Sequence, residues 1–211
     1  MYLESSLMMP VKQVLPIIQD AIMNRTTYHG ITTLKNPFDV WIYQEIVCER
    51  RPDLIIEIGN YFGGSTLLLA HICDSVGHGQ VLAIDRDQSK IHPEVRNHAR
   101  ISFLEGDACF LFSKVQTLAE RLGEILIIED SAHTYETSLA ILNTYSSLIK
   151  PGGYFIVEDG ICHHGLELGP NPGPCEACET FVLNNNDFKI DREREKFLLT
   201  WNPKGYLRRN V

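Results

Sequence analysis

Short apolar runs alternate with longer amphipathic stretches from residue 53 onward. Continuous apolar runs rich in β-branched residues are typical of strands that helices cover on both faces of a parallel sheet. The pattern predicts strands at 54–59, 81–85, 101–105, 125–130 and 153–159, and helices at 65–75, 108–121 and 134–149. Strands and helices that alternate in this order indicate an α/β fold.

The two ends of the chain follow other patterns. In the tail, DFKIDREREKFLLTWNPKGYLRR predicts two strands, at 187–192 and 196–202, which would form an antiparallel edge of the sheet. Before residue 53, two helices are predicted at 10–24 and 38–50, joined by TTYHGITTLKNP.

Together these elements predict one structural domain of α/β class. We expect a Rossmann-like three-layer sandwich over 53–211, with a mostly parallel seven-stranded sheet and an antiparallel edge. Residues 1–52 would form a helical N-terminal cap that packs beside the sheet or lies over its ligand-binding edge.

Composition narrows the class of partner. The 211 residues include 27 acidic and 19 basic side chains, a formal net charge of −8, which argues against a nucleic-acid surface and against docking on anionic membranes. No apolar run approaches the roughly 20 residues of a spanning helix. The six cysteines are scattered along the chain, so a reducing, cytoplasmic location is expected.

The stretch IIEIGNYFGGS, residues 55–65, joins a buried strand to a glycine-bearing loop and places Glu57 inside the strand. Ligands of open parallel sheets bind at the carboxyl ends of the strands. Tyr61 stands where a dinucleotide fingerprint needs its second glycine, and the loop lacks the lysine of a P-loop, which argues against NAD, FAD and ATP. Asp85, 26 residues after Gly59, is close to the spacing at which a carboxylate binds ribose hydroxyls. The pattern indicates a ligand with a ribose but no phosphate chain.

Carboxylates also follow the later strands. Asp107 comes after the third predicted strand, Asp130 and His133 after the fourth, and Glu158 with Asp159 after the fifth. Neighbouring parallel strands lie about 4.8 Å apart, so two strand ends can share one ion. Oxygen ligands suit Mg²⁺. The alternative is that these acids only cap loops and solvate the strand ends.

EIGNYFGGST followed by AID resembles the first two motifs of class I S-adenosylmethionine-dependent methyltransferases. The resemblance implies S-adenosylmethionine as cofactor, with the glycine loop facing its methionine part, Asp85 on its ribose and Asp107 near its adenine. Glu57 would lie beneath the loop and bond to backbone amides, or to the ligand's ammonium through water; alternatively, it caps a turn and contacts no ligand. The predicted cofactor-binding residues are Glu57, Gly59, Tyr61, Gly63, Ser65, Asp85 and Asp107.

IIEDSAHTYE and IVEDG resemble the family named for cephalosporin hydroxylase, which includes metal-dependent sugar and macrolide O-methyltransferases; the similarity covers roughly residues 36–211. The resemblance implies that Asp130, Glu158 and Asp159 hold Mg²⁺ and that His133 is the general base. It also implies a homo-oligomer.

The predicted function is an S-adenosylmethionine- and Mg²⁺-dependent O-methyltransferase that acts on a hydroxyl group of a small molecule, such as a sugar, a polyol or a natural product. One alternative is an oxygenase of the cephalosporin hydroxylase type, although the 2-His-1-carboxylate iron set is not evident at the strand ends. Another is a non-catalytic S-adenosylmethionine-binding protein of the same fold.

Three weaker signals leave alternatives open. Cys162, Cys175 and Cys178 suggest zinc ligands, but PGPCEACETFVL also predicts the start of a helix, and we expect no zinc there. His163 and His164 would face either substrate or solvent. Tyr28, His29 and Lys35 would either form a lid over the substrate or lie on the surface, and we favour the surface.

Overall fold

The structure is a computed structural model that describes residues 7–211. Its N-terminal part consists of helix α1 (Val11–Arg25), a short hairpin of β1 (Thr27–Tyr28) and β2 (Ile31–Thr32), and helix α2 (Pro37–Arg50). Both predicted helices are confirmed to within one residue, and residues 1–6 of the predicted cap lie outside the described residues. Helix α2 begins where the Asn36 side chain accepts a hydrogen bond from the amide of Phe38.

The remaining strands and helices follow in alternation. They are β3 (Leu54–Ile58), α3 (Gly64–Val76), β4 (Gln80–Asp85), α4 (Pro93–Arg96), β5 (Ile101–Glu105), α5 (Ala108–Ala119), β6 (Ile125–Glu129), α6 (Tyr135–Tyr145), β7 (Tyr154–Val157), α7 (Pro174–Asn184), β8 (Phe188–Ile190) and β9 (Tyr206–Arg209).

Strands β3 to β9 form one sheet in the order β5-β4-β3-β6-β7-β9-β8. β3 to β7 are parallel to one another, and β9 pairs antiparallel with both β7 and β8. The predicted mostly parallel seven-stranded sheet with an antiparallel edge is confirmed. The chain builds outward from β3 to β5, then returns to add β6 on the other side of β3. This switch in direction opens a crevice above the carboxyl ends of β3 and β6.

The predicted strand at 196–202 is wrong. The strand that pairs with β7 is β9, in which Arg208 lies opposite Tyr154. The preceding segment turns toward α2 instead, because the Thr200 hydroxyl and the Trp201 amide both donate to the carboxylate of Asp39. A buried carboxylate on a helix has therefore replaced a neighbouring strand as the hydrogen-bond partner of this backbone.

Alternate residues of the central strands enter two different cores. Ile56 and Ile127 pack with α5, α6 and α7 on one face, whereas Ile55 and Leu126 pack with α2 and α3 on the other. All four side chains are buried, which explains why the strands are continuously apolar. Helix α2 shares a core with the sheet, and the division into a cap and a core at residue 52 stays a prediction.

Helix α1 lies over the loops at the carboxyl edge of the sheet. Its Leu15 and Ile22 pack with Ile161, Leu166 and Trp201 in a separate small cluster. Helix α1 therefore covers the region where the strands end. Within residues 7–211, no helix is long and apolar enough to cross a membrane.

Candidate active site

A cavity of about 740 Å³ lies between the carboxyl ends of the strands and helix α1. Its volume is within the range of small-molecule sites, roughly 300–1,000 Å³. The predicted site residues that line it are Gly59, Tyr61, Ser65, Asp85, Asp107, Asp130, His133 and Asp159. Gln19 and Ile22 of α1, together with Trp201, close the cavity from the other side, and Lys35 also lines it.

Two glycines shape the loop after β3, for different reasons. Gly59 has a φ of +89°, and a Cβ there would collide with the carbonyl oxygen of Asp130, so the two strand ends approach closely only because this residue is glycine. Gly63 also has a positive φ, but a Cβ there would meet the side chain of Val95 at 2.9 Å. Gly63 thus packs against Val95 and does not line the cavity, which gives no support to its predicted contact with the cofactor.

Asp85 and Asp107 accept hydrogen bonds from backbone amides at the rim of the cavity. Oδ2 of Asp85 accepts hydrogen bonds from the amides of Asn60 and Tyr61, both at 3.0 Å, and so fixes the glycine loop. Asp107 caps α5 through the amide of Cys109. The Arg86 guanidinium, 2.5 Å from Oδ2 of Asp107, lowers the pKa of that carboxyl. Both acids keep lone pairs free for a ligand's hydroxyl or amine groups.

Glu57 lies directly beneath the glycine loop, with none of its surface exposed. Its Oε2 accepts a hydrogen bond of 2.5 Å from the Thr66 hydroxyl on α3, while Oε1 has no partner among the described residues. Burial raises the pKa of this carboxyl, and the charge of Lys35 partly opposes the rise. The expected bond from Glu57 to loop amides is replaced by one to a side chain.

Lys35 lies between the carboxylates of Asp130 and Glu158, so its predicted surface position is wrong. These two carboxylates and those of Glu57 and Asp159 form an acidic cluster. Its Nζ donates to Oε1 of Glu158 at 2.6 Å and also to Oδ2 of Asp130. Only 6% of the Lys35 side chain is exposed. Burial alone would lower the pKa of Lys35, but the charges of Asp130 and Glu158 outweigh it and raise the pKa. Burial raises the pKa of both carboxyls in turn.

The other carboxylate oxygen of Asp130, Oδ1, lies on the side of His133 and Asp159. Nε2 of His133 lies 3.4 Å from Oδ2 of Asp159 and 3.8 Å from Oδ1 of Asp130. Donor atoms of these three residues all lie within 4.8 Å of one another. His133 and Asp159 both have positive φ angles, 53° and 58°, which tight turns after β6 and β7 impose. Nδ1 of His133 is buried and finds no hydrogen-bond partner in the described part of the chain.

These residues fit a divalent cation. Repulsion from Asp159 and Glu57 adds to burial in raising the pKa of Asp130, and repulsion from Asp130 and Asp159 does the same for Glu158. A dication would relieve this repulsion and stabilise the ionised carboxylates. The unpartnered Oε1 of Glu57 and the closely spaced donors of Asp130 and Asp159 are consistent with such an ion. Hard oxygen donors of this kind suit Mg²⁺. Glu158 is the exception to the predicted ligand set, because its Oε1 faces Lys35 and the residue does not line the cavity.

Among the other weaker sequence signals, His163, His164, Cys175 and Cys178 do not line the cavity, whereas Cys162 does. His163 bonds to the carbonyl oxygen of Gly169 and His164 to the carboxylate of Glu176. The predicted helix start is confirmed as α7, whose Cys175 and Cys178 are buried. Burial raises the pKa of the Cys175 thiol to about 11. Absence of zinc there stays a prediction.

Comparison with known proteins assigns the family. Residues 20–210 match the family described as rhamnosyl O-methyltransferase/CmcI. A rhamnosyl O-methyltransferase of Mycobacterium tuberculosis (strain ATCC 25618 / H37Rv) is 37% identical over 196 residues, 90% of this chain and 80% of that protein. The chain belongs to the rhamnosyl O-methyltransferase/CmcI family. A rhamnosyl O-methyltransferase of Mycobacterium leprae (strain TN) is 34% identical to this chain over 198 residues, 88% of this chain and 84% of that protein.

Solved structures support the same assignment. A cmcI structure with Mg and SAM has a TM-score of 0.68 at 25% identity and covers 88% of this chain and 77% of its own. An O-methyltransferase from Bacillus cereus in complex with SAH has a TM-score of 0.55 at 17% identity, over 88% of this chain and 85% of that one, which shows the shared fold. The predicted fold, family and enzyme class, a methyltransferase, are confirmed.

Proposed function

We propose that this protein is an S-adenosylmethionine- and Mg²⁺-dependent O-methyltransferase that methylates a hydroxyl group of a sugar, with a rhamnosyl group as the first acceptor to test. One observation carries the proposal. A single cavity is lined by the glycine loop, by Asp85, whose spacing from that loop is typical of a ribose-binding carboxylate, and by Asp130, His133 and Asp159. The curated relatives are named rhamnosyl O-methyltransferases, and the cmcI structure contains Mg and SAM.

The donor would lie along the strand ends of β3, β4 and β5. Bound S-adenosylmethionine supplies an electrophilic methyl group. Asp85 is the residue for its ribose hydroxyls, because Oδ1 accepts only the amide of Asp87 at 3.2 Å and keeps a free lone pair. Asp107 and Arg86 flank the predicted adenine position. Gly59, Tyr61 and Ser65 line the path toward the acidic cluster.

The residues that would hold Mg²⁺ are Asp130 and Asp159, with Glu158 as the third predicted ligand. A bound magnesium ion would lower the pKa of an acceptor hydroxyl and orient it. Lys35 fixes Oδ2 of Asp130, which leaves Oδ1 on the side of His133 and Asp159. The lysine thus determines which carboxylate oxygens face the cavity.

His133 is the residue that would take the acceptor's proton. A positioned imidazole is the commonest general base in enzymes. Its Nε2 lies 3.4 Å from Oδ2 of Asp159 and 3.8 Å from Oδ1 of Asp130, and so lies beside the residues that would hold the ion and the acceptor hydroxyl. The proton would leave the hydroxyl for Nε2 as the hydroxyl oxygen bonds to the methyl carbon, whose bond to sulfur would break to release S-adenosylhomocysteine.

The acceptor would enter beneath α1. Trp201 and Ile22 form an apolar wall there, and the indole nitrogen of Trp201 donates to Oε1 of Gln19 at 2.5 Å. This bond ties the helix to the tail of the sheet domain. Helix α1 is therefore held over the acceptor side by a contact with the C-terminal part of the chain.

An acceptor panel tests the function. The purified chain is incubated with S-adenosylmethionine and Mg²⁺ and with a rhamnosyl glycoside, a glucosyl glycoside or a catechol, and S-adenosylhomocysteine and methylated product are quantified. We expect product with the rhamnosyl glycoside, and none with chelator or with Asp159→Asn. Cofactor binding without transfer to any acceptor would support a non-catalytic binding protein. Oxygen consumption with added iron, and no methyl transfer, would support the oxygenase alternative.

A further inference from the structure

A second group of metal-ligating side chains lies on the outer face of α3, away from the cavity. His71 and Asp74 are three residues apart on α3 and so share one face of the helix. His98 reaches them from the turn after α4. None of the three lines the cavity. We infer that His71, Asp74 and His98 form a second metal site that binds a first-row transition-metal ion, with Zn²⁺ as the preferred occupant.

The spacing of the donors already suits such an ion. One donor atom from each of the three side chains lies within 4.8 Å of the other two. Nε2 of His98 is 3.2 Å from Oδ2 of Asp74. Two ligands bound to zinc at 2.0–2.2 Å with a tetrahedral angle lie about 3.3 Å apart. His98 and Asp74 therefore have the separation that a shared zinc ion requires, and a ring nitrogen of His71 lies within 4.8 Å of both.

Neighbouring groups orient two of the three ligands, Asp74 and His71. Nε of Arg100 donates to Oδ1 of Asp74 at 2.5 Å, which turns Oδ2 toward the histidines. The Tyr28 hydroxyl lies 2.9 Å from Nδ1 of His71, which leaves Nε2 for an ion. Partners of this kind around a ligand fix its orientation and its tautomer. Because the Arg100 charge also repels a cation, we expect a moderate affinity.

Two hydrogen bonds of His98 must be given up on binding. The amide of Arg100 donates to Nδ1 of His98 at 3.3 Å, so the Nε2 proton faces Oδ2 of Asp74 at 3.2 Å in the free protein. An ion at Nε2 requires that proton to move to Nδ1, which breaks both bonds, and coordination of Asp74 to the ion replaces the second. The bond from the Arg100 amide is long and weak.

The donor chemistry selects the class of metal. Two imidazoles and one carboxylate favour Zn²⁺, Ni²⁺ or Cu²⁺ over Mg²⁺, which requires oxygen ligands. Burial, followed by the neighbouring His29 and His98, lowers the pKa of His71, and a neutral imidazole is the form that binds metal. Water would fill the remaining position.

The site would join three separate segments. His71 and Asp74 belong to α3, His98 lies just before β5, and Tyr28 on β1 contacts His71. His29, in the same hairpin, packs edge-on against His71 with ring centroids 4.9 Å apart. An ion there would fix the hairpin that leads to Lys35 against the helix that follows the glycine loop. We therefore assign the site a structural role.

The test uses the untagged full chain, with Asp130→Asn and Asp159→Asn to disable the other acidic site. Calorimetry with Zn²⁺ should show one equivalent bound and a raised thermal midpoint. Adding His71→Gln and His98→Gln should remove both effects. His78→Gln is the matched control, because His78 pairs with Asp53 outside the cluster and its loss should leave zinc binding intact.

A second readout does not depend on stability. Co²⁺ should bind with visible absorption bands typical of imidazole ligation, and Zn²⁺ should displace it. Asp74→Asn, an exposed substitution, should weaken the binding of both ions. Zinc binding that is unchanged in the His71→Gln/His98→Gln protein, or no zinc binding by the parent, would overturn the assignment. Neither outcome bears on the methyltransferase proposal.

Discussion

The ammonium group of Lys35 lies 2.6 Å from Oε1 of Glu158, and both side chains are almost wholly buried. Together with Asp130, they form an ion-paired group at the base of the cavity. Removal of one partner of such a buried pair leaves an uncompensated charge and costs about 3–5 kcal/mol of stability. Lys35 is therefore the residue on which the geometry of the acidic cluster depends.

Lys35→Met should destabilise the protein strongly in chelator, because Asp130 and Glu158 would then repel each other without a counter-ion. Mg²⁺ should recover much of the loss in Lys35→Met and have a smaller effect on the parent, since a dication replaces the missing charge. Urea unfolding with and without Mg²⁺ measures both effects.

Lys204→Met is the matched control for that substitution. Lys204 also pairs with a glutamate, Glu179, but on the exposed surface. An exposed pair of this kind contributes about 1 kcal/mol or less. Equal losses in the two variants, or no added benefit from Mg²⁺ in Lys35→Met, would show that Lys35 does not hold the cluster together.

Asp85→Asn should weaken binding of S-adenosylhomocysteine by about ten- to a hundredfold. Hydrogen bonds to a charged group contribute about 1.5–3 kcal/mol, and each 1.4 kcal/mol changes affinity about tenfold. Calorimetry gives the affinity, and Asp87→Asn, an exposed neighbour, serves as control. An unchanged affinity in Asp85→Asn would place the ribose elsewhere.

Chelation should stop methyl transfer and leave the affinity for S-adenosylhomocysteine nearly unchanged, because the ion serves the acceptor. Asp159→Asn should reproduce the effect of chelator, since Oδ2 of Asp159 faces the cavity next to His133. Turnover and cofactor affinity are measured on the same preparations. Full activity of Asp159→Asn in chelator would remove the metal from the mechanism.

Substitution of His133 should lower kcat by roughly 10²–10⁴-fold, the usual contribution of a positioned base. His133→Asn is a better variant than His133→Ala, because the φ of 53° at this position is one that asparagine tolerates. The affinity for S-adenosylhomocysteine should barely change, because His133 would serve the acceptor. His163→Asn is the control, since His163 also has a positive φ, 57°, and does not line the cavity. A His133→Asn protein whose kcat is within a few-fold of the parent would assign the proton to another group.

The local pattern of the sequence predicts the sheet well and long-range contacts poorly. Apolar periodicity predicts the five parallel strands to within two residues at each end, because each strand is buried on both faces. The same periodicity fails at 196–202, where the Trp201 amide bonds to Asp39 on a helix, 162 residues earlier in the chain, rather than to a strand. No local pattern encodes that contact.

The residues of the candidate site also fall into those that a local pattern predicts and those that depend on long-range contacts. Asp130, His133 and Asp159 could be predicted from their places after strands, since parallel strands bring their carboxyl ends to one edge. Lys35 could not, because it is 95 and 123 residues from its two partners and its flanking sequence is typical of a surface connection. Gly63 shows a third case, in which a glycine fits the loop through its packing against Val95 rather than through a ligand.

A crystal structure with S-adenosylhomocysteine, Mg²⁺ and a rhamnosyl glycoside would show the cofactor, the ion and the acceptor in one site. We expect the ribose on Asp85, the ion on Asp130 and Asp159, and one sugar hydroxyl within hydrogen-bond distance of Nε2 of His133, directed at the cofactor's sulfur. A sugar bound with no hydroxyl near His133, or a cofactor bound outside this cavity, would rule out this arrangement.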